Sequence, residues 1–227
     1  MMADFEKASQ NAVRHVFPAV QLVGCLFHLS QCLWRKVQEF HLAERYRDDE
    51  NFRVHVKMVL ALSFVPSVDV TDAFEMLVES SPREMETVFD YWEDNYIGRQ
   101  RRNRRAAPLF AIDQWNVRDR VTDGLPRTNN SVEGWHRSFQ QTIDCHHPSV
   151  FKLIGQFRKE QDKVEIEIAR FQAGNRQPEA SKAKYVQLIR RLRNLVPTYD
   201  DTECLEYLRR IAYNLTIKTT FRTFFIE

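Results

Sequence analysis

The chain has 227 residues, of which 43% are hydrophobic and 12% aromatic, enough to form a core and to exclude global disorder. Its 33 lysines and arginines nearly balance 31 aspartates and glutamates, so the net charge of +2 alone indicates no nucleic-acid partner. The four cysteines lack the paired spacing of a zinc finger, and no apolar run reaches the roughly 20 residues that span a bilayer. Without a signal peptide, these features predict an intracellular protein with reduced cysteines and no membrane partner.

The first 42 residues predict a small α/β layer. Apolar residues three or four positions apart indicate a helix over about residues 5–16, which Pro18 ends. A short run rich in valine and leucine over 19–26 predicts a buried strand, and helical spacing returns over 27–40. The order helix, strand, helix is typical of an α/β layer.

The rest of the chain is predicted to be helical. Three amphipathic helices are expected over 51–63, 70–79 and 83–96, and further helices over 130–142, 149–173, 180–195 and 202–214. Residues 98–105 read as an exposed basic loop, residues 111–123 are short and mixed, and residues 216–227 indicate a weak strand or tail. The basic loop contains Arg99, Arg101, Arg102, Arg104 and Arg105.

Two acidic residues are candidates for chemistry. Asp4 directly precedes the first helix, and Glu133 lies in a polar cluster at the start of a later one. Cleavage of a phosphodiester by two metal ions needs carboxylate ligands from distant parts of a chain. A structural interpretation competes, because an aspartate before a helix is often its N-cap and a glutamate in a first turn often serves the helix dipole.

Several segments resemble a known family in the family's own order. Residues 4–8, Asp-Phe-Glu-Lys-Ala, are similar to the segment around the second catalytic aspartate of Mutator-like DDE transposases. Residues 24–31, Gly-Cys-Leu-Phe-His-Leu-Ser-Gln, resemble the family's Cys-x-x-His signature. Residues 94–99, 115–117 and 126–136 are similar to its inserted helical region and to the segment that holds its third acid.

The resemblance covers residues 3 to 160 and implies a mainly α protein with a small α/β part, a truncated RNase H-like fold with a large α-helical insertion. It implies that Asp4 is the second acid and Glu133 the third, both binding Mg²⁺ or Mn²⁺ in an intact relative. It also implies four segments: an α/β remnant over 1–42, the insertion with its basic loop over 43–125, the helix of the third acid and its successor over 126–173, and C-terminal helices over 174–227.

The family's first aspartate precedes the matched region, so we expect a truncated chain that binds no metal tightly and is inactive alone. DNA is the expected partner and the nucleus the expected location. A homo-oligomer is possible, and neither a membrane nor a small-molecule substrate is expected. The alternative is a non-catalytic DNA-binding or protein-interaction module derived from a transposase. An unrelated helical protein is the third hypothesis.

Three other features allow two interpretations each. Cys25 and His28 are too few ligands for a zinc site, so they are expected to accompany the active site without being its acids. The five arginines fit either a solvated loop or contacts with DNA phosphates, and the resemblance favours DNA. Trp115 and Trp135 are expected in the core, although each could stack on a base.

Overall fold

The computed structural model describes residues 1–102, 104–145, 147–174 and 183–219. Within helices, the side chains of residues 130, 131, 133, 137, 183 and 184 are also outside the description. The described chain is mainly helical, as predicted. It divides into two compact units, Met1–Thr128 with Gln187–Glu227, and Asn129–Val186. None of the described helices is both long and apolar enough to cross a membrane.

The chain starts with a small α/β arrangement. Strand β1 (Met2–Ala3) is followed by helix α1 (Lys7–Val16) and strand β2 (Val23–Gly24), and the strands pair in parallel with Ala3 opposite Gly24. Parallel neighbours need a crossover, which α1 supplies. The predicted strand over 19–26 is reduced to two residues, and β1 was not predicted because two residues show no alternation.

A helical block follows β2. It contains α2 (Leu26–Glu39), α3 (Ala43–Asp48), α4 (Glu50–Ala61), α5 (Val70–Ser80) and α6 (Glu86–Trp92). Short 3₁₀ turns occur at Leu62–Phe64 and Arg83–Met85, and a π-helical turn at Glu93–Ile97 extends α6. The single helix predicted over 83–96 is therefore three consecutive helical types, and α3 was not predicted at all.

The basic segment is a hairpin, which corrects the prediction of an irregular loop. Strands β3 (Gln100–Arg101) and β4 (Arg104–Arg105) pair antiparallel, with Arg101 opposite Arg104. Two short helices follow, α7 (Ile112–Trp115) and α8 (Arg118–Thr122). Apart from this hairpin, the described residues of 43–125 that have regular structure are helical.

The second unit is built on two helices, α9 (Asn130–Ile143) and α10 (Val150–Gln172). The ring of Phe139 stacks with that of Trp135 on the same helix and with that of Phe157 on α10. The ring centroids are 5.1 and 4.8 Å apart, respectively. No residue of α10 is buried.

The chain returns to the first unit within α11 (Ala183–Leu195). A 3₁₀ turn at Val196–Tyr199 leads to α12 (Cys204–Tyr213), which packs against α4. The hydroxyl of the buried Tyr207 donates to the carbonyl oxygen of Phe64, 2.7 Å away. Residues 216–219 have no regular structure, and the rest of the predicted C-terminal strand or tail lies outside the described residues.

Candidate functional site

Asp4 and Cys25 lie side by side because each directly follows one of the paired strands. The register of Ala3 with Gly24 makes Asp4 and Cys25 the next positions at the carboxyl ends of both strands. The backbone N–H of Cys25 still donates to the carbonyl of Ala3, at 3.1 Å. Side chains at this edge of parallel strands converge, and ligand sites of α/β folds occupy the same position.

His28 completes an acid cluster, which we define as Asp4, Cys25 and His28. His28 lies in the first turn of α2, and its Nδ1 lies 2.7 Å from Oδ1 of Asp4, an ion-pair distance. Burial alone lowers the pKa of His28, but hydrogen bonds to Asp4 and Cys25 and their charges outweigh it, raising this pKa from 6.5 to about 10. The imidazole is therefore protonated at neutral pH.

The ring of Phe5 packs directly against Gly24, where the two strands end. A Cβ atom at Gly24 would collide with the ring of Phe5, so only glycine allows this approach. The Phe5 ring in turn makes edge-to-face contacts with Tyr96 and Phe110, with centroids 5.8 and 5.2 Å away. The segment containing Asp4 is thereby anchored to the helical block.

A buried pair of glutamines holds the backbone of Asp4. Gln10 is fully buried in α1, and its Nε2 donates to the carbonyl oxygen of Asp4 at 2.6 Å. Nε2 of Gln114, on α7, donates to Oε1 of Gln10 at 2.6 Å. This chain of hydrogen bonds links the strand end to α1 and α7.

The geometry of the acid cluster argues against three roles: helix capping by Asp4, nucleophilic attack by Cys25 and metal binding by the described side chains. The N-cap position of α1 is Glu6, so the capping interpretation of Asp4 is wrong and its carboxylate contacts His28 instead. Cys25 is 0% exposed, which keeps its thiol from meeting a substrate as a nucleophile. No described group of three histidine, cysteine or acidic side chains is placed to hold a metal ion.

Glu133 lies in α9, and its side chain is outside the described residues. The predicted approach of Asp4 and Glu133 therefore stays a prediction. Around Asp4 the described groups that could act as metal ligands are one carboxylate, a protonated imidazole and a buried thiol. This set does not fit a pair of Mg²⁺ ions, which prefer several oxygen ligands.

Two of the five candidate arginines are held by acids of the same unit. Arg105 is 18% exposed, and its Nη1 donates to Glu93 at 2.9 Å and to the carbonyl of Gly98 at 2.7 Å. Its Nη2 pairs with Glu75. Arg99 pairs with Asp94 and, at 3.2 Å, with Asp90, which lowers the pKa of Asp94.

The other three arginines are exposed at the tip of the hairpin. Arg101, Arg102 and Arg104 form no ion pair with any part of the chain that the structure describes. Arg101 and Arg104 face each other across the hairpin, an arrangement in which like charges destabilise the pairing. We call these three residues the hairpin arginines.

No family model, curated protein or solved structure matches this chain. Its function has to be argued from the acid cluster, the hairpin arginines and the motifs that resemble the transposase family. The structure brings Asp4, Cys25 and His28 together. It divides the five arginines into two that pair with acids and three that pair with no described acid.

The residues that support these groups carry no signal in the sequence. Gln10 and Gln114 gave no signal because polar residues in amphipathic helices are normally assigned to solvent. Glu75 and Glu93 are 30 and 12 positions from Arg105, so no local spacing pairs them with it. Trp115, at 1% exposure, lies in the core as predicted, whereas Trp135 is 38% exposed and donates to Glu160 at 3.1 Å.

Proposed function

We propose that this chain derives from the catalytic domain of a Mutator-like transposase and binds DNA without cleaving it. One observation carries the proposal: Asp4 follows a strand whose parallel neighbour leads directly into Cys25 and His28. The transposase resemblance implies this arrangement around the family's second acid. An RNase H-like fold, a nuclear location and DNA as the partner belong to the same proposal.

The absence of cleavage follows from the carboxylates. Two-metal chemistry needs a set of acids that fixes both ions, and the described side chains around Asp4 supply one carboxylate, its own. Asp4 also lies 2.7 Å from Nδ1 of His28, so its carboxylate already has a charged partner within the chain. A non-catalytic role is the interpretation that these contacts favour.

The hairpin arginines support DNA binding. Guanidinium groups bind phosphates by paired hydrogen bonds, and such contacts supply most of the sequence-independent affinity for DNA. Placing Arg101 opposite Arg104 lowers the stability of the hairpin, since no described acid offsets the repulsion. An anionic partner such as the DNA backbone would remove this repulsion on binding.

The binding test compares the whole chain with two triple variants on a short DNA duplex by fluorescence anisotropy. Replacing the hairpin arginines by glutamine should weaken binding and reduce the salt dependence by up to about three phosphate contacts. The control removes the same charge at the exposed residues Arg14, Arg158 and Arg209 and should keep most of the affinity. Equal loss in both variants would reject the hairpin as the DNA site.

The cleavage test incubates supercoiled plasmid with the purified chain in Mg²⁺ or Mn²⁺. We expect no nicking. Nicking that disappears in Asp4→Ala and in Glu133→Ala would show that the chain is a nuclease and overturn the non-catalytic half of the proposal.

A further inference from the structure

A second surface of the first unit has the chemistry of a binding groove. A cavity of about 560 Å³ lies between α5 and α6. The charge of its lining is opposite to that of the hairpin arginines. Apolar side chains form part of its lining: Phe74, Val78, Pro82 and Phe89. Five acids line it as well: Glu75, Glu79, Glu86, Asp90 and Glu93. With only Arg83 and Arg105 to oppose them, the lining has an excess of three negative charges.

The acids stand at spacings that cost helix stability. Glu75 and Glu79 are one turn apart on α5, and Glu86 and Asp90 are one turn apart on α6. Like charges at this spacing repel each other and weaken a helix. A cation close to either pair would offset this repulsion.

For three of the five acids the chain supplies cations itself. The guanidinium of Arg105 lies between Glu75 and Glu93, and Arg99 pairs with Asp90. The other two acids, Glu79 and Glu86, form no ion pair with any described residue, and the exposed Arg83 pairs with neither. Arg105 is thus an arginine that acids of this groove hold, and Glu79 and Glu86 are the two acids of the lining without such a partner among the described residues.

We infer that the groove binds a basic segment of a partner protein, in which an arginine meets Glu79 and Glu86 and an adjacent aliphatic residue covers Val78. An apolar lining with a few charged groups is typical of a surface that binds a side chain selectively. DNA is excluded from the groove by its negative charge. A second copy of this chain fits less well, because its hairpin arginines, at 101, 102 and 104, have no aliphatic residue among them for the apolar lining.

The test uses a fluorescein-labelled peptide, Gly-Ser-Leu-Arg-Leu-Arg-Ser-Gly, titrated with the whole chain. The double variant Glu79→Gln, Glu86→Gln should raise Kd by about tenfold or more. The matched control Glu44→Gln, Glu50→Gln removes the same charge from exposed residues of α3 and α4 and should change Kd less than about twofold. Removing repulsion from α5 and α6 should leave the first variant at least as stable as the wild type.

Further arms test both halves of the proposal. A peptide with serine in place of leucine, and the variant Val78→Ser, should each weaken binding, because both remove the apolar contact. Equal affinity of the wild type and the Glu79, Glu86 double variant would overturn the proposal, as would no binding at about 1 mM peptide. Concentration-dependent dimerisation that the double variant abolishes would assign the groove to a second copy and likewise overturn the partner assignment.

Discussion

His28 connects the charge of the acid cluster to the folded state. Its imidazole is 25% exposed and forms an ion pair with Asp4, which is 51% exposed, so the proton is stabilised only while β1 and β2 are paired. Unfolding returns His28 to its ordinary pKa of 6.5. The proton therefore favours the folded protein.

This proton predicts a pH dependence of stability. The folded pKa of about 10 exceeds the unfolded value of 6.5, so the stabilisation is complete below pH 6.5 and disappears as pH rises towards 10. Because Asp4 is half exposed, we expect a loss of about 1–2 kcal/mol. Urea unfolding with EDTA, compared with His28→Gln, should show it. A difference between the two proteins that is flat over this window would contradict the assignment.

A single methyl group at Gly24 should disturb the same site. In Gly24→Ala the new Cβ meets the Phe5 ring, and we expect a loss of about 1–3 kcal/mol in the free energy of unfolding. Gly155→Ala is the control, since nothing lies within 4 Å of the added atom and alanine favours a helix. If Phe5→Ala does not relieve the cost of Gly24→Ala in the double variant, the collision is not its cause.

At the residue scale, the sequence indicated the members of the acid cluster but not the glutamines that hold its backbone. Asp4, Cys25 and His28 were selected through family motifs, and the structure places the three in contact. Gln10 could not have been selected because its partner, Gln114, is 104 positions away. Burial of a polar side chain is decided by tertiary packing, which periodicity along one helix does not contain.

The hairpin shows how two adjacent arginines acquire different roles. β4 contains both Arg104 and Arg105, and successive residues of a strand point to opposite faces. Arg105 therefore reaches Glu75 and Glu93, whereas Arg104 is exposed opposite Arg101. One residue anchors the hairpin and its neighbour is available to a partner.

We predict opposite effects on stability and binding for these two arginines. Arg105→Gln should lower the free energy of unfolding by about 1–3 kcal/mol, because it leaves the partly buried Glu93 without its cation. Arg104→Gln should leave stability unchanged or slightly raised while weakening DNA binding, because it removes repulsion from Arg101. Urea unfolding and anisotropy on the same preparations would measure both. A destabilised Arg104→Gln protein would refute this division of roles.

Helices were predicted better than strands for a physical reason. The spacing over 70–79 and 149–173 extends through several turns and gave α5 and α10 within a few residues. β3 and β4 have two residues each, all of them charged or polar. No alternation of apolar residues could therefore predict these strands. The apolar positions of α1 predicted an inner face, yet Val16 is 64% exposed and Gln10 is the buried residue.

At the scale of the molecule, the two units differ in how their helices are stabilised. In α4 most residues are buried, among them Phe52, Val56 and Met58. In α10 none is buried, and Val164, Ile168 and Phe171 are each about half exposed or more. Helices gain most of their stability from tertiary packing, so packing stabilises α10 less than α4.

Amide hydrogen exchange should reveal this difference. We expect the backbone amides of α10 to exchange at least about tenfold faster than those of α4, because local opening costs less where no core is exposed. The comparison needs only the wild-type chain in D₂O, followed by mass spectrometry of peptides from each helix. Equal protection would mean that α10 is covered in solution, as in a homo-oligomer.

The pairing of β1 with β2 also has a consequence in time. Contacts within helices close after four residues, but the N-terminal amine of Met1 bonds to the carbonyl of Gln21, 20 positions along the chain. Gln114 reaches Gln10 from 104 positions away. Distant contacts form slowly, since a long loop must close first. During refolding, the acid cluster should therefore become native only after the helices around it have formed.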